Sequence, residues 1–178
     1  KTGNMGLDTL SNSLDWSSIH LIKGGAIQSA AMDKCPVLNS LLKKLPLPQL
    51  PQHAPEAFLS ILKKKTEIKP HYGLSNAKLT LHIAINIPNE CAIKVGEVTQ
   101  KWQEGKALIF DDSFIHEAWN HSDKERMVFI TDIWHPDLTD YEIWGIEKIM
   151  ALEYQRYEKI SSWNINDIIS QALKWQSI

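Results

Sequence analysis

Hydrophobic and polar residues alternate along the middle of the chain. Between residues 57 and 136 the apolar positions recur with a period of two, and prolines, glycines and a turn-forming cluster at residues 120–123 interrupt the alternation. This pattern predicts short strands at residues 58–62, 78–87, 92–98, 106–110, 116–119 and 127–133. Because no helical segment separates them, we expect a sandwich or barrel and not a set of βαβ units.

Helices are predicted on both sides of this region. Upstream, a short strand at residues 19–22 precedes a helix over residues 30–44, which ends where prolines at positions 46, 48, 51 and 55 prevent its continuation. Downstream of residue 138 the helical period returns and predicts helices at residues 141–152 and 165–175. We therefore expect one domain over residues 1–178, with a β core at about residues 57–138 and C-terminal helices over residues 139–178.

The composition fits one soluble domain and argues against two classes of partner. With 178 residues, 43% of them apolar, the chain can bury one core. Its 19 basic and 21 acidic side chains are spread along the chain, so no nucleic-acid partner is expected. No stretch approaches the ~20 apolar residues of a membrane span. The compartment stays unknown, with the cytoplasm favoured for a bacterial source, and the start at Lys1 leaves an upstream segment open.

Three of the seven histidines lie in or beside predicted strands of the β region: His71, His82 and His116. Two imidazoles from separate strands, with open coordination positions, form the skeleton of a non-haem iron site. The usual third ligand is a carboxylate two residues after the first histidine, yet here that position is Gly73. From these residues alone, a metal site and ordinary structural histidines both stay open.

A series of motifs follows in fixed order through the same region. They are Pro70-His71-x-Gly73-x-x-Asn76, Leu81-His82, Ile87-Pro88, Trp102 followed by an ungapped block over residues 104–120 that contains His116, then Arg126 and Asp132-Ile133-Trp134-His135-Pro136. Together they resemble the aspartyl/asparaginyl β-hydroxylase family over about residues 58–138. The long block around His116 makes the resemblance specific.

This resemblance implies a mainly β fold, a double-stranded β-helix (jelly roll, cupin-like) with flanking α-helices. It also implies an Fe(II)- and 2-oxoglutarate-dependent dioxygenase that hydroxylates an unactivated C–H bond with O₂. Members hold iron with two histidines and no carboxylate, so His71 and His116 would be the metal ligands. Arg126 would bind the far carboxylate of 2-oxoglutarate, and Ser60 and His82 would help to hold this cosubstrate.

Physical arguments support these roles at three positions. Strand alternation places His82 on the more polar face of residues 78–87. If residues 112–116 are extended, Asp112, Phe114 and His116 point the same way, and Asp112 can order a water bound to the iron where the carboxylate ligand is missing. The planar guanidinium of Arg126 donates two parallel hydrogen bonds to a carboxylate and stays charged.

The substrate is less determined than the chemistry. The family commonly has an arginine two positions before His82, whereas this chain has Thr80, with Lys78 on the same strand face. The narrower hypothesis is β-carbon hydroxylation of an aspartyl or asparaginyl unit in a peptide, protein or small molecule. The alternatives are a lipid acyl or other small-molecule hydroxylase of the same family, and a non-catalytic jelly roll that binds a metal or a small acid. A zinc hydrolase would usually need a third protein ligand.

Overall fold

The computed structural model describes residues 15–161, with side chains up to residue 159. Strands dominate this part of the chain. The elements in chain order are β1 (Trp16–Lys23), β2 (Ala26–Ile27), α1 (Ser29–Met32), α2 (Pro36–Leu42), β3 (Ala57–Leu62), β4 (Thr66–His71), β5 (Lys78–Asn86), β6 (Cys91–Val95), β7 (Val98–Gln100), β8 (Ala107–Phe110), β9 (His116–Asn120), β10 (Arg126–Trp134) and α3 (Asp140–Ser161).

Two antiparallel sheets build the β region. The major sheet has the strand order β2-β1-β3-β10-β5-β8, and the minor sheet has the order β4-β9-β6-β7. The eight strands from β3 to β10 are thus divided equally between the sheets, with the first strand pairing with the last in the major sheet. This is the arrangement of a jelly roll, or double-stranded β-helix. The predicted fold class is confirmed.

The main core lies between the two sheets. Side chains from both sheets pack together there, with Leu62, Ala84 and Val128 from the major sheet and Ile68, Ile93 and Ala118 from the minor sheet. Trp102, which lies between β7 and β8, belongs to the same buried cluster. Full burial of one leucine, isoleucine or valine side chain stabilises the fold by roughly 1.5–3 kcal/mol. The sheets are therefore held face to face by apolar contacts, and polar groups in the same space need a specific reason.

The other face of the major sheet is covered by the short helices. Met32 of α1 and Leu42 of α2 pack against Leu21 and Phe129 in a second apolar cluster. The predicted helix over residues 30–44 is in fact two helices, α1 and α2. Pro36 occupies the first turn of α2, where its missing N–H is tolerated, and the residue before a proline is disfavoured in a helix.

The sequence prediction missed three strands, β2, β4 and β7, as separate elements. The expected strand at residues 92–98 is split into β6 and β7, because Gly96 has a positive φ of 54° and forms the turn between them. Strand β4 carries alternating buried and exposed side chains, but it includes Pro70 and follows the basic run at residues 63–65, which hid its period. The remaining strands lie within a few residues of their predicted positions.

Among the described residues, 139–161 belong to a compact unit separate from residues 15–138. Helix α3 contains the helix predicted at residues 141–152, and its start carries a capping box: Thr139 N donates to Glu142 Oε2 at 2.8 Å, and Glu142 N donates to Thr139 Oγ1 at 3.3 Å. The helix predicted at residues 165–175 lies outside the described residues. Within residues 15–161 no helix is both long and apolar enough to cross a bilayer. The prediction of a single domain stays a prediction.

Candidate metal and cosubstrate site

His71 and His116 lie directly opposite each other in the minor sheet. They are partners in the β4–β9 register, and their ring centres are 4.1 Å apart. One extra residue in β4 between Ile68 and His71 forms a bulge, which includes Pro70. Bulges re-aim side chains and accept a proline that has no N–H to donate. This irregularity brings the two imidazoles together at one end of the sheet.

Both rings are anchored in the same way. The Nδ1 atom of His71 lies 2.7 Å from the carbonyl oxygen of Lys69, and that of His116 lies 2.9 Å from the carbonyl oxygen of Phe114. Because a carbonyl only accepts, each Nδ1 carries the proton, and each Nε2 keeps a free lone pair. Metal-binding histidines are oriented by this kind of contact. Burial lowers the pKa of His116 below its usual value, and neighbouring His71 acts in the same direction, which favours the neutral ring.

A carboxylate lies beside this pair, in a position that Gly73 makes accessible. Gly73 N donates to the carbonyl oxygen of Asp112 at 2.6 Å, which ties the loop after β4 to the loop after β8. A Cβ atom on residue 73 would collide with the Asp112 carboxylate. Asp112 therefore occupies the space where the carboxylate of an ordinary facial triad would begin. Its Oδ1 atom is buried without a hydrogen-bond partner.

The condition under which Asp112 and His116 would point the same way, an extended path over residues 112–116, is not met. Strand β9 begins only at His116, and the preceding residues form a turn in which Ser113 N donates to Asp111 Oδ1 at 2.9 Å. An aspartate that accepts from the backbone two residues ahead favours such a turn over a strand. The turn nevertheless brings Asp112 close enough to act electrostatically on the ring of His116, where it opposes burial by raising the pKa.

Lys78 connects Asp112 to a second carboxylate. Its Nζ atom is 3.5 Å from Asp112 Oδ2 and 2.7 Å from Asp132 Oδ1, and Asp132 Oδ2 accepts from Glu56 N at 2.8 Å. Burial acts to lower the pKa of Lys78, but Asp132 and Asp112 outweigh it and the pKa is raised. Lys78 therefore stays charged, and its charge is already shared between two carboxylates.

Arg126 is a buried cation without a counter-ion. Its side chain is 1% exposed, and Nη1 donates to Ser60 Oγ at a long 3.4 Å. Nε is buried without a hydrogen-bond partner, and no carboxylate in the described part of the chain forms an ion pair with this guanidinium. Burial lowers the pKa of Arg126 to about 10, so the group is still charged at neutral pH. An unpaired buried charge is unfavourable, and an anionic ligand would relieve it.

Ser60, His82 and Arg126 form what we call the cosubstrate cluster. In the register of the major sheet, Ser60 lies opposite Val128, and Arg126 lies opposite Leu62. Paired residues share a side of a sheet, and Leu62 and Val128 belong to the core between the sheets, so Ser60 and Arg126 point into that space.

His82 completes this cluster and links it to the metal pair. It lies opposite Ile130, which packs on the same core. The Phe110 ring has its centre 5.1 Å from that of His82 and 5.3 Å from that of His116. The structure thus brings the predicted cosubstrate residues into one cluster and places it one aromatic ring away from the predicted metal ligands.

Four further residues complete the site and were not predicted as part of it. They are Trp16, whose Nε1 donates to Ser60 Oγ at 2.9 Å; Trp102, whose Nε1 donates to His82 Nδ1 at 3.2 Å; Lys78; and Asp132. Strand alternation had placed Lys78 on the face of His82, which was a usable signal. Trp102 belongs to the motifs that carry the family resemblance, although no role was predicted for it. No spacing rule points to Trp16, because it approaches from a distant part of the chain.

This chain is similar in sequence to a known protein family and to several of its members. A family model described as Aspartyl/Asparaginyl beta-hydroxylase matches residues 3–136. The human aspartyl/asparaginyl beta-hydroxylase is 39% identical over 126 residues, which are 70% of this chain and 16% of that protein. The human aspartate beta-hydroxylase domain-containing protein 2 is 34% identical over 140 residues, covering 77% of this chain and 38% of that protein.

A bacterial relative and a solved structure extend the comparison. The ornithine lipid ester-linked acyl 2-hydroxylase of Rhizobium tropici is 34% identical over 131 residues, covering 72% of this chain and 44% of that protein. The chain therefore spans less than half the length of each of these three relatives. A cupin domain of a transcriptional regulator from Enterobacter cloacae superposes with a TM-score of 0.45 at 10% identity, over 68% of this chain and 98% of that one, a likeness too weak to support an argument.

Proposed function

Because the chain belongs to the aspartyl/asparaginyl β-hydroxylase family, we propose that it is an Fe(II)- and 2-oxoglutarate-dependent hydroxylase. One observation supports this most strongly. Two imidazoles with free Nε2 atoms lie one aromatic ring away from His82, which belongs to the same cluster as a buried arginine that has no counter-ion. A divalent metal is the ligand that suits the histidine pair, and a dicarboxylate is the ligand that suits the cluster around the arginine.

The donor set fits iron. Imidazole nitrogen is a good ligand for Fe(II), and the Nδ1 contacts of His71 and His116 hold both rings in the tautomer that a metal requires. Within the described residues there is no group of three or more His, Cys, Asp and Glu side chains arranged around one point. His71 and His116 would therefore bind the metal, and Asp112, with one buried unpartnered oxygen, would hold a water beside it.

The cosubstrate cluster fits 2-oxoglutarate. The Arg126 guanidinium would pair with the carboxylate far from the metal, and its buried Nε would gain the acceptor that it lacks. Ser60 Oγ, which already accepts from Trp16 and Arg126, has its own O–H left to donate to the same carboxylate. His82 would add a further contact.

When bound, Fe(II) with 2-oxoglutarate and O₂ supplies the oxidation, in which the 2-oxo acid becomes succinate and CO₂ and one oxygen atom enters a substrate C–H bond. The chain's own residues orient and enclose the reactants. Arg126 and Ser60 fix the far end of the cosubstrate. Buried Trp102 and half-buried Phe110 keep water away from the space between that end and the histidines.

The narrower proposal is hydroxylation of the β-carbon of an aspartyl or asparaginyl unit, which the names of the human relatives support. A second candidate is hydroxylation of a lipid acyl chain, the activity named for the Rhizobium relative. Two observations favour this second candidate. The first is that Lys78 forms ion pairs with Asp112 and Asp132, and Thr80 is buried. Strand β5 therefore has no unpaired cation that could bind a substrate carboxylate.

The second observation is the apolar surface beside the metal pair. The loops after β4 and β8 expose four large apolar side chains: Tyr72 (65% exposed), Leu74 (88%), Phe114 (60%) and Ile115 (56%). The hydrogen bond between Gly73 and Asp112 holds these loops together, and His71 and His116 border them in the chain. An apolar substrate would find contacts here that an aspartyl side chain would not use.

A substrate panel tests the proposed function. Protein loaded anaerobically with Fe(II) and 2-oxoglutarate is exposed to O₂ with Asp- and Asn-containing peptides, free amino acids or lipids, and succinate and substrate mass are measured. We expect O₂-dependent succinate, and one class of substrate that gains one oxygen atom. Binding of iron and 2-oxoglutarate without succinate under any condition would instead indicate a non-catalytic binding module.

Replacing Asp112 with alanine should weaken iron binding by about 10- to 100-fold, because the residue beside the two ligands no longer orders water at the metal. Fe(II) or Co(II) affinity is measured by competition with a chelator. Asp123→Ala, which removes an exposed surface carboxylate, is the matched control and should leave affinity unchanged. Equal metal affinity in wild type and Asp112→Ala would show that Asp112 does not contribute to metal binding.

Gly73→Ala should imitate the loss of Asp112. The added methyl group would collide with a carboxylate that Lys78 holds in place, so the carboxylate must move away from the metal pair. We expect a loss of metal affinity similar to that of Asp112→Ala. The double variant should bind metal no more weakly than either single variant, because both changes remove the same contact. Additive losses would show that Gly73 acts on the site by another route.

A further inference from the structure

Trp102 contacts two members of the cosubstrate cluster at once. Its indole Nε1 is 3.2 Å from His82 Nδ1, and the two rings are inclined by only 20°, which suits a hydrogen bond in the plane of both. The same indole lies against the Arg126 guanidinium, whose Cζ atom is 4.9 Å from the ring centre. Trp102 is buried in the core between the sheets, so both contacts are shielded from water.

The hydrogen bond determines where His82 carries its proton. An indole N–H donates and never accepts, so Nδ1 of His82 must be the acceptor. Burial, Arg126 and His116 together lower the pKa of His82 to about 3, so the ring is neutral near pH 7. A neutral imidazole that accepts at Nδ1 carries its proton on Nε2. Among the described residues, the hydrogen bond found for His82 is the one at Nδ1, which leaves Nε2–H to donate to a ligand.

We propose that Trp102 is a positioning residue that holds His82 as its Nε2–H tautomer and Arg126 beside it, so that both present N–H donors to the cosubstrate. Two donors are then available in one buried cluster: the Nε2–H of His82 and the Nε–H of Arg126, which has no partner in the protein. A dicarboxylate is the class of ligand that such donors recognise. The ligand part rests on the proposed function, whereas the tautomer can be measured without any ligand.

Trp102→Phe separates the hydrogen bond from the packing. Phenylalanine keeps an aromatic face for Arg126 but cannot donate to His82, whose Nδ1 would be left buried without a partner. We expect 2-oxoglutarate to bind roughly tenfold more weakly, the low end of the loss seen when a partner that orients a binding histidine is removed. Iron affinity should not change, because Trp102 makes no contact with His71 or His116 among the described interactions.

The chain offers a matched control. Trp119 and His121 form another indole–imidazole pair, with ring centres 5.9 Å apart and planes inclined by 23°, nearly the same values as the 5.9 Å and 20° of Trp102 and His82. The imidazole of this control pair hydrogen-bonds Glu67 and not the indole. Trp119→Phe should therefore leave the His82 tautomer and the affinity for 2-oxoglutarate unchanged.

The experiment reads the tautomer by NMR in the full chain labelled with ¹⁵N-histidine, without metal or cosubstrate. His82→Gln identifies the signal. In wild type we expect a protonated Nε2 and an unprotonated Nδ1 from pH 8 to pH 5; in Trp102→Phe we expect this pattern to be lost or averaged. Affinity for 2-oxoglutarate is then measured in the anaerobic Fe(II) forms of wild type, Trp102→Phe and Trp119→Phe.

A wild-type signal with the proton on Nδ1 would overturn the proposal, even if Trp102→Phe fails to fold. So would an unchanged tautomer together with unchanged 2-oxoglutarate affinity in a folded Trp102→Phe. A wild-type protein that binds no 2-oxoglutarate would refute the proposed function, and the ligand part of this inference with it. The His82 signal would still decide whether Trp102 holds the tautomer.

Discussion

Alanine at either His71 or His116 is expected to abolish Fe(II)-dependent turnover. The two imidazoles are the only paired histidines with free Nε2 atoms in the described part of the site, so loss of one leaves a single protein ligand that cannot retain the metal. Both side chains lie at strand ends and are only partly buried, so the fold should survive. The measurement is O₂-dependent succinate formation at saturating iron, with metal content determined on the same samples.

His135→Ala is the matched control for this prediction. His135 belongs to the same sequence motif region but lies after β10, where its Nδ1 accepts from Asp137 N at 3.3 Å. This variant should keep its iron. Wild-type succinate formation in either the His71 or the His116 variant would refute the metal assignment.

Replacing Arg126 with alanine should remove most of the affinity for 2-oxoglutarate. The far carboxylate of the cosubstrate would then be buried without a cation to pair with, at a cost of roughly 2–5 kcal/mol, or about 30- to 4,000-fold in affinity. Lysine at position 126 should restore only part of the affinity for 2-oxoglutarate, because a point charge cannot form the bidentate pair. The affinities are measured by anaerobic titration of the Fe(II) protein, and the affinity for iron itself should barely change.

Arg126→Met separates ligand binding from folding. Methionine fills much of the same space and removes a buried charge that has no counter-ion, a change that is often neutral or stabilising. We expect this variant to unfold at the wild-type temperature or above it, and to lose 2-oxoglutarate binding. Arg156→Ala, in the exposed part of α3, should change neither property. Equal 2-oxoglutarate affinity in wild type and all Arg126 variants would show that the guanidinium does not bind the cosubstrate.

The strands and the metal pair were within reach of the sequence for different reasons. Alternation of apolar residues is a local signal, and it placed β3, β5, β9 and β10 within one or two residues. The pairing of His71 with His116 is not local: the two residues are 45 positions apart in sequence, and only the likeness to a family connected them. The jelly-roll register then explains why they meet, since β4 and β9 are neighbours in the minor sheet.

The parts that escaped prediction depend on turns and on long-range packing. The alignment of Asp112 with His116 was argued for an extended segment, but Ser113 N donates to the Asp111 side chain and the segment forms a turn. Strand alternation placed Lys78 on the face of His82, but it cannot show whether the charge of Lys78 is free. In the fold that charge is paired with Asp132, which lies 54 positions away in sequence. No periodicity in the chain reports such a contact.

The proposed function requires Fe(II) and 2-oxoglutarate to share one site on this chain. The most direct test is the visible metal-to-ligand charge-transfer absorption of the anaerobic protein, recorded with Fe(II) alone, with 2-oxoglutarate alone and with both. We predict a band only when both are present, saturating at one of each per chain, weakened in Arg126→Ala and absent from His116→Ala. No band in wild type at saturating concentrations of both, or an equal band in His116→Ala, would contradict it.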